Sequence, residues 1–513
     1  MIFSNQFDNI FLPYQRKDVL LQRKMERFLA KYRTFFVASL LTLFGIAMGL
    51  ETFVNHMLFR TYGLDLGIYA QTAHSFGHLR VNDTSLYQWE PASQLGDHFD
   101  LLLALLGPLS WIVRADWLLL AVQLLAVMFG SWGIYRLTHS LCHREVPSLL
   151  AMMLMMCQYG VWHAMGNDYH SSVVAASLLP WLILELRNER FVTASLLLAI
   201  MAMAKESIAL WLVTVLLALL CEHRHQQRTR RWLLWALAGT TLYFIIATMV
   251  VMPALGKGAS PGFSRYNWMG DTMANVALHI ITHPLEAVRN IFTDFVANGD
   301  FANLKTEFFL CTLASGLLLA VLKPNYLLML VVPLTMKMLS SDAPNFWGIA
   351  FHYNIEICIS ISCAAAVALA TINHRRLQTS LGVAAVLLAL TTTLYSVNHP
   401  LTPIRQANVN ILRPTHYRQT EFDVATARKA LSMIPHDASV CAATPFVPHI
   451  AARDSAYIFP IGLGNNAEYY LIFNDHWCYY EGEADMAAKI IADTTHYEPL
   501  LTDGTVHLVR NRR

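Results

Sequence analysis

Charge is what this sequence has least of. Lys, Arg, Asp and Glu make up 14% of its 513 residues, where soluble chains carry about a quarter. With 55% hydrophobic residues, a water-soluble fold is excluded for most of the chain. The bases do not gather into a face and the net charge is +2, so the footprint of a nucleic-acid binder is missing. Paired CxxC motifs are missing too. Of eight scattered cysteines, six lie in or beside apolar segments, where Cys acts as a small hydrophobe. Cys441 and Cys478 fall in a polar C-terminal region. They form a disulfide if that region meets an oxidising compartment, although two free thiols fit as well. Residues 1–34 are polar and basic, so no cleavable signal peptide is predicted. There is no internal repeat or low-complexity tract. The glycine- and proline-rich stretch Pro253–Arg265 follows no strand and is no P-loop. It reads as an outer loop in which Lys257 and Arg265 are candidate phosphate contacts.

What is present is a succession of apolar runs. The candidate membrane spans are 35–53, 116–136, 147–163, 172–186, 191–203, 208–221, 232–252, 307–322, 325–340, 352–371 and 378–396. Residues 191–221 are read as two spans. One straight helix would hold Lys205 and Glu206 at bilayer depth, which costs several kcal/mol. The bases in short loops set the orientation. The N-terminal segment carries Arg16, Lys17, Arg23, Lys24, Arg27, Lys31 and Arg33, and is expected in the cytoplasm. Threading from there places Arg136–Arg144, Arg187–Arg190, Arg224–Arg231, Lys323 and Arg375–Arg376 on the same side. That consistency requires the apolar stretch 98–113 to lie on the membrane or re-enter it. The expected architecture is therefore an α-helical polytopic membrane protein in three parts. Residues 1–34 are a cytoplasmic segment. Residues 35–396 form the transmembrane domain, with a large first outer loop at 54–115. Residues 397–513 form a small extracytoplasmic α/β domain with helices near 420–433 and 483–492. Short strands such as Ser439–Ala442 and Val506–Val509 belong to the last part.

The polar residues that remain near the membrane fall into five clusters, all on the expected outer side. They are Tyr62-Gly63-Leu64-Asp65-Leu66-Gly67-Ile68-Tyr69, Gly96-Asp97-His98-Phe99-Asp100, Gly166-Asn167-Asp168-Tyr169-His170-Ser171, Ala204-Lys205-Glu206-Ser207 and Phe351-His352-Tyr353-Asn354-Ile355-Glu356. Carboxylates at a dehydrated edge become competent general bases as burial raises their pKa. Histidines there shuttle protons or hold a phosphate, and Lys205 neutralises an anion. Each cluster alone has a plainer reading. Asp65 or Asp97 can be a solvated loop acid, Lys205–Glu206 a polar turn, and Asp168 with His170 a helix cap. His352 and Glu356 can snorkel or pair at a helix end. Convergence favours function, since charge near the bilayer is costly to keep. Asp97-His98 with Asp168-Tyr169-His170 is also a candidate set for a divalent cation, against a hydrogen-bonded network.

The order DLGIY, GDHFD, NDYHS, AKES and FHYNIE resembles a family of bacterial polytopic membrane proteins of unknown function, grouped with the GT-C glycosyltransferases. The likeness runs over about residues 60–400, and Ala430–Ser439 resembles that family's tail. Its usual patterns are close to YDLGIFDQ, GDHF, DFHPE, TKED and RYHY. Here Ser171 stands where Pro is usual, Ser207 where Asp is, and Ala350 where Arg is. The resemblance implies a GT-C layout and a lipid-linked sugar donor on polyprenyl phosphate, with a polar acceptor of unknown identity. The protein would then be a glycosyltransferase at the outer face of a bacterial inner membrane. It implies Asp65 as the first-loop acid that serves as base or binds the acceptor, with Asp97 and His98 beside it. Asp168, His170, Lys205, Glu206, His352 and Tyr353 fall in the family's motifs and would line the substrate, and the chemistry of the residues themselves adds Tyr69, Arg265 and Glu356 as candidates. The rival class is a transporter, flippase or scaffold for a lipid-linked precursor. Transporters tend to show inverted repeats and midplane charges, and this sequence has neither.

Overall fold

The computed structural model describes residues 24–81, 84–87, 93–256, 261–296, 301–473 and 480–512. Arg16, Lys17, Arg23, Lys257 and Cys478 lie outside the described residues. The chain is mostly helical. Among the described residues, five helices are long and apolar enough to cross a bilayer: α1 (Arg33–Met57), α2 (Ala115–Cys142), α3 (Gln227–Leu255), α4 (His352–Thr371) and α5 (Arg375–Asn398). At about 1.5 Å per residue, each reaches or exceeds the ~30 Å of hydrocarbon. α4 is the central one, with 89% of its apolar window buried inside the protein.

Between these, the apolar runs fold as broken helices. Residues 172–186 give Ser171–Ser177 and Leu179–Arg187, with Pro180 in the first turn of the second. The region around 307–340 is cut by Gly316 at φ 104° and by the 3₁₀ segment Pro324–Leu330. Proline has no N–H to continue a helical ladder, and only glycine takes that positive φ freely. Residues 191–221 do break where the two charges sit: Phe191–Met203 ends, Lys205 is extended, and Glu206–Glu222 begins. The stretch 98–113 forms a helix and a 3₁₀ turn over Leu102–Trp111, too short to cross.

The two ends of the bundle differ chemically. At one end the basic segments meet. Arg33 Nε donates to Glu145 at 2.7 Å, Arg187 pairs with Glu222 at 3.2 Å, Asn325 donates to Glu222 at 3.0 Å, and Arg144 donates to the Ile372 carbonyl. The acids and imidazoles named above gather at the other end.

The C-terminal sheet packs on that second end. Its order is β2 (Ala456–Ile458), β1 (Val440–Ala442), β3 (Tyr469–Phe473), β5 (Val506–Asn511), β4 (Tyr497–Thr502). β1 runs parallel to both β2 and β3, and β5 antiparallel to β3 and β4. Side chains alternate between faces. Cys441, Tyr470, Ile472 and Val509 pack with Ala487 and Ile490 of helix Glu483–Ala492. Val440, Ala442, Leu471 and Leu508 join Ala427 and Ala430 of helix Val424–Ser432 in a core shared with the bundle. Cys441 is fully buried in that sheet.

Two glycines allow the close approach. A Cβ on Gly67 would come within 2.9 Å of Val447 Cγ1, and one on Gly63 within 3.2 Å of Thr444 and Val447. The expected result for Gly67→Val is a loss of about 1–3 kcal/mol by overpacking, with part recovered in Gly67→Val/Val447→Ala. Equal melting temperatures for the wild type and the single variant would show that the approach is not tight.

Candidate functional site

Asp65 is carried by a single π-helical turn, Gly63–Gly67, just past α1. The turn is held from two sides. Thr444 Oγ1 accepts from Gly63 N–H at 3.0 Å. Asp168 Oδ2 accepts from Tyr62 N–H at 2.8 Å and Leu66 N–H at 3.3 Å. Asp168 itself has φ 48°, a left-handed conformation that Asp and Asn tolerate better than most residues. Its loop is fixed by Gln123 of α2, fully buried in an apolar stretch. Gln123 Nε2 donates to the Asp168 carbonyl at 2.7 Å, and its Oε1 accepts from His170 N–H at 2.8 Å.

His170 stacks on His352 with ring centroids 3.3 Å apart and planes 21° apart. Asn167 bridges them, its Nδ2 lying 2.9 Å from His352 Nδ1 and 3.4 Å from His170 Nε2. Tyr69, from the helix that continues the Asp65 turn, meets Tyr169 and His170 edge-on at 5.5 and 5.8 Å. Tyr353 stacks on Phe346 at 4.0 Å. The Arg265 guanidinium covers the other partner of that stack, 4.3 Å above Phe346.

The Asp97-His98 corner is tied to the Lys205–Glu206 break. Glu206 Oε2 accepts from Phe99 N–H at 3.0 Å, and Glu206 Oε1 faces His98 Nδ1 at 3.4 Å. His98 Nε2 lies 3.8 Å from Asp97, whose Oδ2 accepts from the Tyr87 hydroxyl at 2.9 Å. The charges of Lys205 and His98 both act on Asp65, and both act on His170 and His352. Asp65 acts in turn on Asp168 and Tyr353, and Lys205 reaches Glu356 at the start of α4. The sequence-predicted residues therefore form one connected electrostatic cluster drawn from six segments.

Burial governs the titration. It lifts the Asp65 carboxyl above the usual carboxylate range, while Lys205 and His98 pull it partly back. It lifts Asp168 well above that range, and the Asp65 charge adds to the effect. Burial opposes the Glu206 carboxylate, but His98 and Lys205 outweigh it and hold the group down at about 2. His170 is pushed well below the ordinary imidazole range by burial and by the Lys205 and His98 charges, so it is neutral at pH 7.

Residues given no role from sequence also sit in the cluster. Asp100 is 1% exposed, takes a short hydrogen bond from Ser171 on Oδ2, and has no partner on Oδ1. Ser171 Oγ also lies 3.0 Å from the Tyr169 hydroxyl, so the Ser at the Pro position of the family pattern has work of its own. Asp100 sat inside the GDHFD motif and was legible there. Gln123 was signalled only as a lone amide in an apolar run. The proposed cation set is not assembled. Asp168 Oδ2 serves two backbone N–H groups and His98 faces Glu206, while the gathered His/Asp donors among the described residues lie elsewhere, at His56, Asp116 and His449.

Burial pushes Asp100 up to about 7. The folded protein then holds a proton that the unfolded chain releases near pH 4, so stability falls as pH rises from about 4 to about 7. Asp100→Asn is expected to lessen the fall of thermal stability across that window, which Asp65 and Asp168 also drive, and to melt higher than wild type at pH 8. Parallel pH profiles for the two proteins would contradict this.

A helical bundle with long apolar helices, capped at one end by a sheet and a buried acid–imidazole cluster, defines a polytopic membrane protein. The chain belongs to the family described as predicted membrane protein (DUF2079), which matches residues 55–485 and so takes in every cluster residue. A comparison with curated proteins finds no match.

Proposed function

We propose that this protein is a GT-C-type membrane glycosyltransferase. It moves a sugar from a polyprenyl-phosphate donor to a polar acceptor at the outer face of a bacterial cytoplasmic membrane. On this reading the broken segments also cross, giving eleven spans. The basic end faces the cytoplasm, and residues 397–513 are periplasmic. The observation that carries the proposal is the convergence of Asp65, Asp97, His98, Asp168, His170, Lys205 and His352 at the end of the bundle opposite the bases. Buried charge near a bilayer is costly to keep without use.

Asp65 accepts the proton of the acceptor hydroxyl as that oxygen bonds to the anomeric carbon. The bond from this carbon to the phosphate oxygen breaks, its electron pair leaves on the lipid phosphate, and the configuration inverts. Lys205, with His352, meets the charge on the departing phosphate. Asp97 and His98 orient the acceptor. Glu206 is a positioning residue that fixes His98 and Phe99. Arg265, held over Phe346 beside Tyr353, supplies a cation near the place where Ala350 replaces the usual Arg.

The test is purification in mild detergent, mass spectrometry of bound lipid, and transfer assays in proteoliposomes loaded with polyprenyl-phosphate sugars. Retained polyprenyl phosphate and its turnover are expected. A protein that neither retains nor consumes such donors is not this enzyme.

A further inference from the structure

A second group of ligating side chains lies apart from the cluster described above. His56 ends α1, Asp116 begins α2, and His449 comes from the short helix Val447–Ile450 beside the sheet. One ligand atom from each lies within 4.8 Å of the other two. We propose that these three residues form a zinc-class divalent cation site that fastens the C-terminal region to the first two long helices. The proposal does not rest on the glycosyltransferase reading.

The donor chemistry suits such an ion. Two imidazoles and one carboxylate are a set that zinc accepts, and three protein ligands leave a fourth position for water. The surroundings supply what supports a ligand from behind. His56 Nδ1 lies 2.9 Å from Thr61 Oγ1, and with its proton given to that oxygen the Nε2 lone pair is free. Asp116 Oδ1 is held by Arg114 Nε at 2.7 Å, fixing the carboxylate while Oδ2 faces His56 Nε2 at 2.9 Å. His449 Nε2 is a buried nitrogen with no hydrogen-bond partner. Its ring stacks on His56 at 4.2 Å with planes 12° apart. A buried, unpartnered imidazole nitrogen needs an explanation, and a cation between the rings and Asp116 provides one.

The geometry also states what must move. Zinc bonds of about 2.0–2.1 Å put tetrahedral ligand atoms roughly 3.4 Å apart, so with the three atoms within 4.8 Å of one another the farthest pair must close by up to about 1.4 Å. A turn of the His449 ring out of the stack supplies that. The rival arrangement is a plain His56–Asp116 ion pair with Arg114 Nη2 sharing Oδ2 at 2.5 Å, in which His449 only packs. The consequence of a bound ion is specific. Val447 and Thr444, next to His449 in the chain, press on Gly67 and Gly63 of the Asp65 turn, so the ion would stiffen that turn.

The experiment uses the full-length protein in detergent, stripped with a chelator and then titrated with zinc ion. Metal content after desalting, thermal melting, and the visible spectrum of the cobalt(II)-loaded protein are read for wild type, His449→Gln and His436→Gln. His436 is an exposed control. The expected result is about one retained zinc per chain, a metal-dependent rise in melting temperature, and tetrahedral cobalt bands in wild type and His436→Gln, all lost in His449→Gln. Asp116→Asn, which keeps shape and polarity, is expected to weaken retention at least tenfold. No retained metal in wild type, or equal retention in His449→Gln, overturns the proposal. A His449→Gln protein that elutes as wild type without metal guards against reading misfolding as lost binding.

Discussion

Asp65→Asn is expected to abolish sugar transfer while leaving the protein folded. The substitution removes the base but keeps the size of the side chain and its place in the Gly63–Gly67 turn. Loss of a positioned general base lowers rates by roughly 10²–10⁴. The turn does not depend on the Asp65 carboxylate for its shape. Its amides are held by Asp168 Oδ2 and Thr444 Oγ1, so elution and melting should stay near wild type. Donor binding, which this reading gives to Lys205 and His352, should survive, so the defect belongs in kcat rather than KM. In wild type the rate should rise with pH through a range displaced above that of an ordinary carboxylate, because burial raises Asp65 and the base acts when deprotonated. Wild-type turnover in Asp65→Asn, measured in the same proteoliposomes, would remove Asp65 from the mechanism.

Arg60→Met should have the largest effect on stability. Arg60 is 4% exposed and follows α1 directly. Its guanidinium donates to four carbonyls of the C-terminal region: Ala407 at 3.1 Å, His416 at 2.7 Å, Thr415 at 3.0 Å, and Arg418 through a shorter contact. Methionine fills similar space and donates nothing. A buried carbonyl left without a donor costs roughly 1–3 kcal/mol; the His416 contact is buried and the other three part-buried, so the loss is a few kcal/mol. Limited proteolysis should then cut within residues 397–423 under conditions where wild type resists. Arg428→Ala removes an exposed guanidinium bonded to one carbonyl, that of Met57 at 3.1 Å, and should do little. Matching melts and cleavage patterns for wild type and Arg60→Met would show that this fan of hydrogen bonds does not hold the two parts together.

Much of the fold could be read from composition and periodicity. Runs of apolar residues near 35–53, 116–136, 232–252, 352–371 and 378–396 each became a long helix, because about twenty consecutive apolar side chains leave few alternatives. The paired charges at Lys205–Glu206 correctly marked a break. The interruptions at Gly316, Pro180 and Pro324 were not read from hydropathy. A window average registers how apolar a segment is and is blind to the backbone angle of one residue inside it. The C-terminal strands were visible as short alternating runs, but their order 2-1-3-5-4 was not, since pairing partners are chosen by contacts distant in sequence.

The candidate site divides in the same way. Asp65, Asp97, His98, Asp168, His170, Lys205 and His352 were named because ionisable residues beside apolar runs are rare and costly. Asp100 and Ser171 were read only as members of their clusters, Ser171 also as a departure from the family pattern, and Gln123 was passed over. Gln123 looks like one polar residue in a helix until the fold sets its amide against the backbone of Asp168 and His170. Nothing in the sequence joined His56 and Asp116 to His449, more than three hundred residues later.

By itself the sequence determined that this chain belongs in a membrane, where its long helices fall, and which polar residues stand beside its apolar runs. Those are properties of local composition, set by the transfer of each side chain between water and hydrocarbon. The tertiary structure alone decided which acids face which cations, which imidazoles stack, and that the C-terminal sheet presses on the turn bearing Asp65. These are pairwise matters of distance and desolvation, fixed only when segments far apart in the chain pack together.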